Sequence, residues 1–208
     1  MGDKAASQGG RILRSYITDT IKSRIEQMPS ADRIIIAIDG RCASGKSTLA
    51  SDLENELGCS VFHMDDFFLR PEQRTPQRYA EPGGNVDRER FWEEILEPLR
   101  RGEKQIKYRP FDCRSFELMF PRRIDVGRIA IVEGSYSCHP ELWDCYDLHI
   151  FLTLSARQQL ERILRREGVE RAEVFRDKWI PLEERYFSVF KTEERCELRF
   201  NTGGRSES

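Results

Sequence analysis

Gly40-Arg41-Cys42-Ala43-Ser44-Gly45-Lys46-Ser47-Thr48 carries the spacing G-x-x-x-x-G-K-[ST], and its surroundings decide how the chain is read. Upstream, Arg33 to Asp39 is an apolar run of strand length, rich in β-branched side chains. Downstream, Leu49, Leu53 and Leu57 recur at helical spacing and Gly58 closes the pattern. Strand, glycine loop and helix form the context a phosphate cradle requires. Gly40 and Gly45 let the backbone turn tightly, so that N–H groups point inward at the positive end of the helix. Lys46 is then expected to reach the β- and γ-phosphates of a nucleotide, and the Ser47 hydroxyl to ligate Mg²⁺. All of Gly40 through Thr48 are candidate nucleotide-binding residues.

At 208 residues the chain is long enough for one domain with a real core, and residues 1–208 read as one. Lys and Arg total 34 against 36 Asp and Glu, a net charge of −2 that disfavours a nucleic-acid partner. No apolar stretch approaches the about 18–20 residues that span a bilayer, and no signal region follows Met1, so a soluble, cytoplasmic protein without a membrane partner is expected. The six cysteines form no C-x-x-C pair, which argues for independent reduced thiols rather than zinc or redox chemistry. Cys42 lies in the phosphate loop, where a helix N-terminus is expected to lower its thiol pKa.

Along the chain, residues 1–10 read as a disordered lead, and Ile12, Tyr16, Ile17, Ile21, Ile25 and Met28 as the apolar face of an extra N-terminal helix over 11–28 that packs on the core. Cys59 to Met64 is a second strand, ending in Asp65-Asp66-Phe67-Phe68. Residues 70–84 form a long loop, and a helix through Phe91, Ile95, Leu96 and Leu99 follows, its last turn bent by Pro98. Residues 105–111 and 116–120 predict a β-hairpin excursion. Ile129 to Gly134 is a strand that delivers Glu133, and Leu148 to Leu152 is another buried strand. Ser155 with Gln158 is a capping box for an arginine-bearing helix that Gly168 stops. Residues 170–191 read as helix kinked or split at Pro181, 196–200 as a last strand and 201–208 as a loose tail. Strands alternating with helices predict an α/β fold, a mostly parallel central sheet with helices on both faces.

A phosphate loop serves many chemistries, so the other residues must choose among them. The D-x-x-G and N-K-x-D signatures of guanine-nucleotide switches are missing from this sequence. Two strands expected to flank the loop strand instead end in carboxylates. Active sites of parallel sheets form beyond the carboxyl ends of the strands, where Asp65, Asp66 and Glu133 would converge with Lys46 and Ser47. One carboxylate there can take the proton of an attacking hydroxyl and another can organise Mg²⁺. Arginines of the capped helix, Arg162 and Arg166 in particular, are candidates to fold over the transferred phosphoryl group.

Gly40 to Thr48, His63-Met64-Asp65-Asp66-Phe67-Phe68, Asn85-Val86-Asp87, Ile131-Val132-Glu133-Gly134 and the arginine helix stand in the order found in the uridine kinase and phosphoribulokinase group, which includes the nicotinamide riboside kinases. The resemblance spans residues 33–200. It implies the P-loop NTPase fold with a small lid helix, ATP and Mg²⁺, and phosphoryl transfer to a primary hydroxyl. It further implies that Asp65 acts on the acceptor hydroxyl, that Glu133 assists Mg²⁺, that Asp87 binds ribose hydroxyls, and that Phe111-Asp112 is the aromatic–aspartate pair of the hairpin. Uridine kinases place a pyrimidine-reading histidine beyond that pair; here Phe116 stands near that position. Phe67, Tyr79, Phe111 and Phe116 are candidate pocket walls. The expected acceptor is nucleoside-like, uridine or cytidine first. Nicotinamide riboside, a sugar or a vitamin precursor is the alternative, and a non-catalytic nucleotide-binding module is another. Oligomeric state is left open.

Overall fold

The computed structural model describes residues 2–29 and 32–203, with side chains from Gly9 onward. Its centre is a five-stranded sheet in the order β2-β7-β1-β8-β9, formed by Ser60–His63, Ile129–Glu133, Ile34–Gly40, Leu148–Thr153 and Leu198–Asn201. Every pair in it is parallel. β1 is buried along its whole length, as expected of a strand covered on both faces. The α/β reading is therefore met, and the sheet is wholly parallel.

Alternation along β1 separates two apolar layers. Ile34, Ile36 and Ile38 meet Leu49 and Leu53 of α2 (Lys46–Leu57) and Ile17, Ile21 and Ile25 of α1 (Gly2–Glu26). Ile35 and Ala37 face the other way, toward Phe91, Ile95 and Leu99 of the helix over 88–100 and toward Tyr186 and Phe187. The N-terminal helix is thus a core-packing element. It starts at Gly2, so residues 2–10 are helical rather than a disordered lead; Met1 lies outside the described residues. Ile12 and Tyr16, expected on its buried face, are exposed.

Both prolines expected to bend their helices stand just after a widened turn. Trp92–Leu96 and Phe175–Trp179 are π turns, each ending two residues before a proline, Pro98 and Pro181, inside helices that continue past it. A proline clashes with the carbonyl four residues back and offers it no N–H, and widening the turn relieves both faults. Glu97 N accordingly bonds Trp92 O, and Ile180 N bonds Phe175 O.

The excursion is two small ribbons, β3–β6 (Gln105–Tyr108 with Arg122–Asp125) and β4–β5 (Phe111–Asp112 with Glu117–Leu118), rather than one hairpin. The loop over 70–84 contains α3 (Pro76–Ala80), capped by the Thr75 side chain. At the C-terminus, Thr202 Oγ1 donates to Ser44 O at 2.7 Å, and Gly203 O accepts from Gln158 Nε2. Residues 201–203 are therefore tied down, and 204–208 lie outside the described residues. Among the described residues no helix is long and apolar enough to cross a membrane.

Candidate active site

β1 ends at Gly40, whose φ of +138° turns the chain into the phosphate loop; a side chain there would strike the Leu152 carbonyl of β8. The loop then runs into α2. Just before Gly40, the fully buried Asp39 carboxylate accepts from Gly40 N (2.7 Å), Tyr136 N (3.2 Å), Cys138 N (3.0 Å) and Tyr186 Oη (2.9 Å). Burial pushes its carboxyl up to about 6, against the pull of these donors and of Lys46. Asp39 thereby joins the loop, the segment after β7 and the helix over 169–190. Sequence reading had passed over it as the end of a strand.

Lys46, Ser47, Asp65 and Glu133 line one cavity of about 890 Å³ at the carboxyl ends of β1, β2 and β7. The Lys46 ammonium donates to the loop carbonyls of Gly40 (2.7 Å) and Arg41 (3.1 Å) and lies 3.3 Å from Ser135 Oγ. Ser47 Oγ is 3.1 and 3.2 Å from the two oxygens of Glu133. His63 Nδ1 sits 2.6 Å from the same carboxylate, because β2 and β7 pair in register at His63 and Glu133. This hydrogen bond holds the His63 imidazole above its usual range, and Glu133, Asp66 and Asp65 add to the shift by their charge. Hydroxyl and carboxylate oxygens are the hard donors that suit Mg²⁺. No cluster of three or more His, Cys, Asp or Glu among the described residues forms a closed metal site.

Asp65 follows β2 in a 3₁₀ turn, Met64–Phe67. Water reaches it through the cavity, yet protein surrounds it, and this desolvation together with the Glu133 charge raises its carboxyl above the usual aspartate range. A raised carboxylate beside an anion-binding loop has the character of a proton acceptor.

Cys42, Ala43, Gly45 and Thr48 also line the cavity, whereas Gly40, Arg41 and Ser44 build the loop from behind. Arg41 turns outward to Glu184 (2.7 Å), Glu193 (2.8 Å) and Thr153 Oγ1 (2.6 Å). Arg162 and Arg166 line the cavity. Arg162 also bonds Ala43 O at 3.1 Å and Thr202 O at 2.6 Å, and Arg166 bonds Glu167 at 2.9 Å.

Of the proposed acceptor walls, Tyr79 and Phe116 face the cavity. Phe116 is 50% exposed with φ +59°, a conformation rarely held by a bulky residue and one that recurs at binding sites. Phe67 is not a wall: it is fully buried, stacked on Tyr108 at 5.5 Å. Phe111, too, is buried, at 5% exposure in β4, and does not line this cavity. Asp87 is likewise absent from the lining. It is 2% exposed, caps the following helix through Arg90 N (3.2 Å) and accepts from Gln73 Nε2 (2.9 Å), so its oxygens are already engaged within the protein. The Cys42 expectation is reversed: burial and the Glu183 charge push its thiol up to about 12.

Glu183 is a cavity residue that the sequence did not single out. Its carboxylate is 5% exposed, accepts from Cys42 N at 2.9 Å and from Ser135 Oγ at 2.7 Å, and lines the cavity. A carboxylate thus holds one N–H of the phosphate loop. Its motif-free setting in a helix gave no signal.

The overall fold of the chain is similar to those of solved kinase structures. A possible uridine kinase from Bacillus stearothermophilus superposes with a TM-score of 0.68 at 21% identity, over 91% of this chain and 98% of that one. D-glycerate 3-kinase from Cryptococcus neoformans var. grubii gives 0.67 at 13% identity, over 96% and 97%. Phosphoribulokinase from Rhodobacter spheroides gives 0.56 at 15%, over 83% and 71%. The chain has the P-loop kinase fold. No protein-family model matches the sequence, and no curated protein matches it either. The resemblance read from the motifs is therefore met at the level of fold.

Proposed function

We propose that the protein is an ATP- and Mg²⁺-dependent kinase that moves the γ-phosphoryl group to a primary hydroxyl of a small acceptor. The observation that supports this most is that Asp65, Lys46 and the Ser47–Glu133 pair face one cavity large enough for a nucleotide and an acceptor together. In this reading the acceptor oxygen attacks the γ-phosphorus and the bond from that phosphorus to the β–γ bridging oxygen breaks. The acceptor proton passes to Asp65, and ADP leaves. Lys46 and the loop amides hold the phosphates, and Arg162 and Arg166 offset charge on the transferred group. Ser47 and Glu133 would hold Mg²⁺, which would supply neutralisation of phosphate charge.

The motif resemblance and the aromatic walls Tyr79 and Phe116 support a nucleoside acceptor, the 5′-hydroxyl of uridine or cytidine. A second reading, a primary alcohol other than a nucleoside, gains from the burial of Asp87, which leaves the expected ribose reader facing the protein.

Acceptor-stimulated ADP release tests the proposal. It should appear with Mg-ATP and a suitable alcohol and fall by orders of magnitude in Asp65→Asn, with ATP affinity kept. Near-normal turnover in that variant would remove Asp65 from the mechanism. Tight ATP binding without stimulation by any acceptor would favour a non-catalytic nucleotide-binding module.

A further inference from the structure

Five arginines stand between residues 70 and 90, and four are held by carboxylates. Arg70 pairs with Glu72 at 3.4 Å, Arg78 with Glu89 at 2.7 Å, Arg88 with Glu141 at 2.8 Å and Arg90 with Glu94 at 3.4 Å. Arg74 is the exception. It is half-buried and lines the cavity, and it makes no ion pair with any described carboxylate. Its Nε donates to Leu69 O at 2.9 Å, and its guanidinium lies over Phe116 at 5.0 Å and Phe111 at 5.8 Å.

That arrangement fixes the plane of the guanidinium and leaves both Nη groups without a protein oxygen. A planar cation held on aromatic faces, with the weakly accepting Cys113 sulfur rather than an oxygen beside it, is pre-organised for bidentate binding of a carboxylate or phosphate.

Arg74 sits on the acceptor side. It packs on the ribbon residues Phe111 and Phe116 and beside the loop after β2, whereas Arg162 and Lys46 bond the phosphate loop itself. Asp65, Arg74 and Cys113 all line the same cavity.

We propose that the acceptor carries a carboxylate or phosphate in addition to the hydroxyl that Asp65 receives, and that Arg74 binds this anionic group. The inference rests on the kinase reading above and favours its second acceptor class, an alcohol other than uridine or cytidine, here one that carries an anionic group.

The test uses the full chain, Arg74→Met, which keeps length and packing on Phe116 but removes the charge, and Arg74→Lys. ADP release is followed with matched acceptors: D-glycerate against glycerol, fructose 6-phosphate against fructose, and uridine and cytidine alongside. Inorganic phosphate and acetate are titrated separately into ADP-loaded protein, with tryptophan fluorescence as the readout. The expected result is an anionic acceptor preferred over its neutral partner by about tenfold or more in kcat/KM. In Arg74→Met its KM should rise about ten- to hundredfold, as for loss of a charged hydrogen bond, with the KM for ATP and the melting temperature unchanged and partial recovery in Arg74→Lys. The carboxylate and phosphate arms tell the two anions apart.

A neutral acceptor turned over equally by wild type and Arg74→Met overturns the anion inference and leaves the kinase reading standing. Arg74-dependent anion binding with no ADP release from any acceptor keeps the anion site and counts against phosphoryl transfer. Anion binding that is absent or independent of Arg74, with no acceptor active, overturns both.

Discussion

The Glu183 carboxylate accepts the backbone N–H of Cys42 at 2.9 Å, so that a protein anion rests on a loop whose amides are arranged for phosphate. Its other oxygen takes the Ser135 hydroxyl, itself 3.3 Å from the Lys46 ammonium. A buried carboxylate so close to the loop repels incoming phosphate charge. Glu183→Gln keeps an acceptor for Cys42 and removes the charge. ATP affinity, measured by calorimetry, should therefore rise, on the order of tenfold. Unchanged or weaker binding would show that the carboxylate only buttresses the loop.

Asp65 carries a pH prediction. Its carboxyl is raised by burial and by the Glu133 charge, and the ionised form is the one that accepts a proton. Activity should then be lost as pH falls, with the acid limb of kcat/KM lying above the ordinary aspartate value of 3.8. In Glu133→Gln the limb should move down, since the repulsion from that carboxylate is gone. A limb at or below the ordinary value in the wild type would contradict the assignment.

Glu133 is shared by Ser47 and His63. Removing either oxygen donor proposed for Mg²⁺ should weaken binding of Mg-ATP more than that of metal-free ATP. For Glu133→Gln and for Ser47→Ala the expected loss in apparent Mg²⁺ affinity is about ten- to hundredfold, the scale seen when groups around a metal are altered. Equal losses with and without Mg²⁺ would assign both residues to loop structure instead.

His139 makes stability depend on pH. Its Nδ1 accepts from Glu141 N at 3.3 Å as the cap of a short helix, which requires that nitrogen to be unprotonated. Burial, helped by the Arg88 charge, pushes the imidazole down from 6.5 to about 4. The stabilisation is present above the unfolded value and is lost as pH falls, because the unfolded chain takes up the proton first. At pH 5 the loss is about 2 kcal/mol. His139→Asn, which can still cap, should not show it, so urea denaturation of the two proteins should diverge between pH 7.5 and 5 by that amount.

The parts of the site that were legible in the sequence are those set by local chain geometry. Gly40 to Thr48 declares its own conformation, the Ser155–Gln158 capping box forms as spaced, and Glu133 inherits its place from an apolar strand whose neighbours in the sheet follow from the alternation of strands and helices. Asp87 misled because an aspartate before a helix is equally a cap, and there the backbone claims it. The Glu183–Cys42 bond spans 141 positions and depends on the rotation of a whole helix, for which no short pattern exists. Arg122–Asp125 was missed as a strand because its residues are charged and its edge is exposed, leaving no apolar alternation to read.

The wide turn at Phe175–Trp179 sets the angular phase of everything beyond it. Replacing Pro181 with alanine would let those residues wind at the ordinary pitch, and the residue so released would swing the downstream half by about 100° about its axis. The single bond that brings Glu183 to Cys42 would then point elsewhere, so an imino acid that touches no nucleotide governs what the phosphate loop meets.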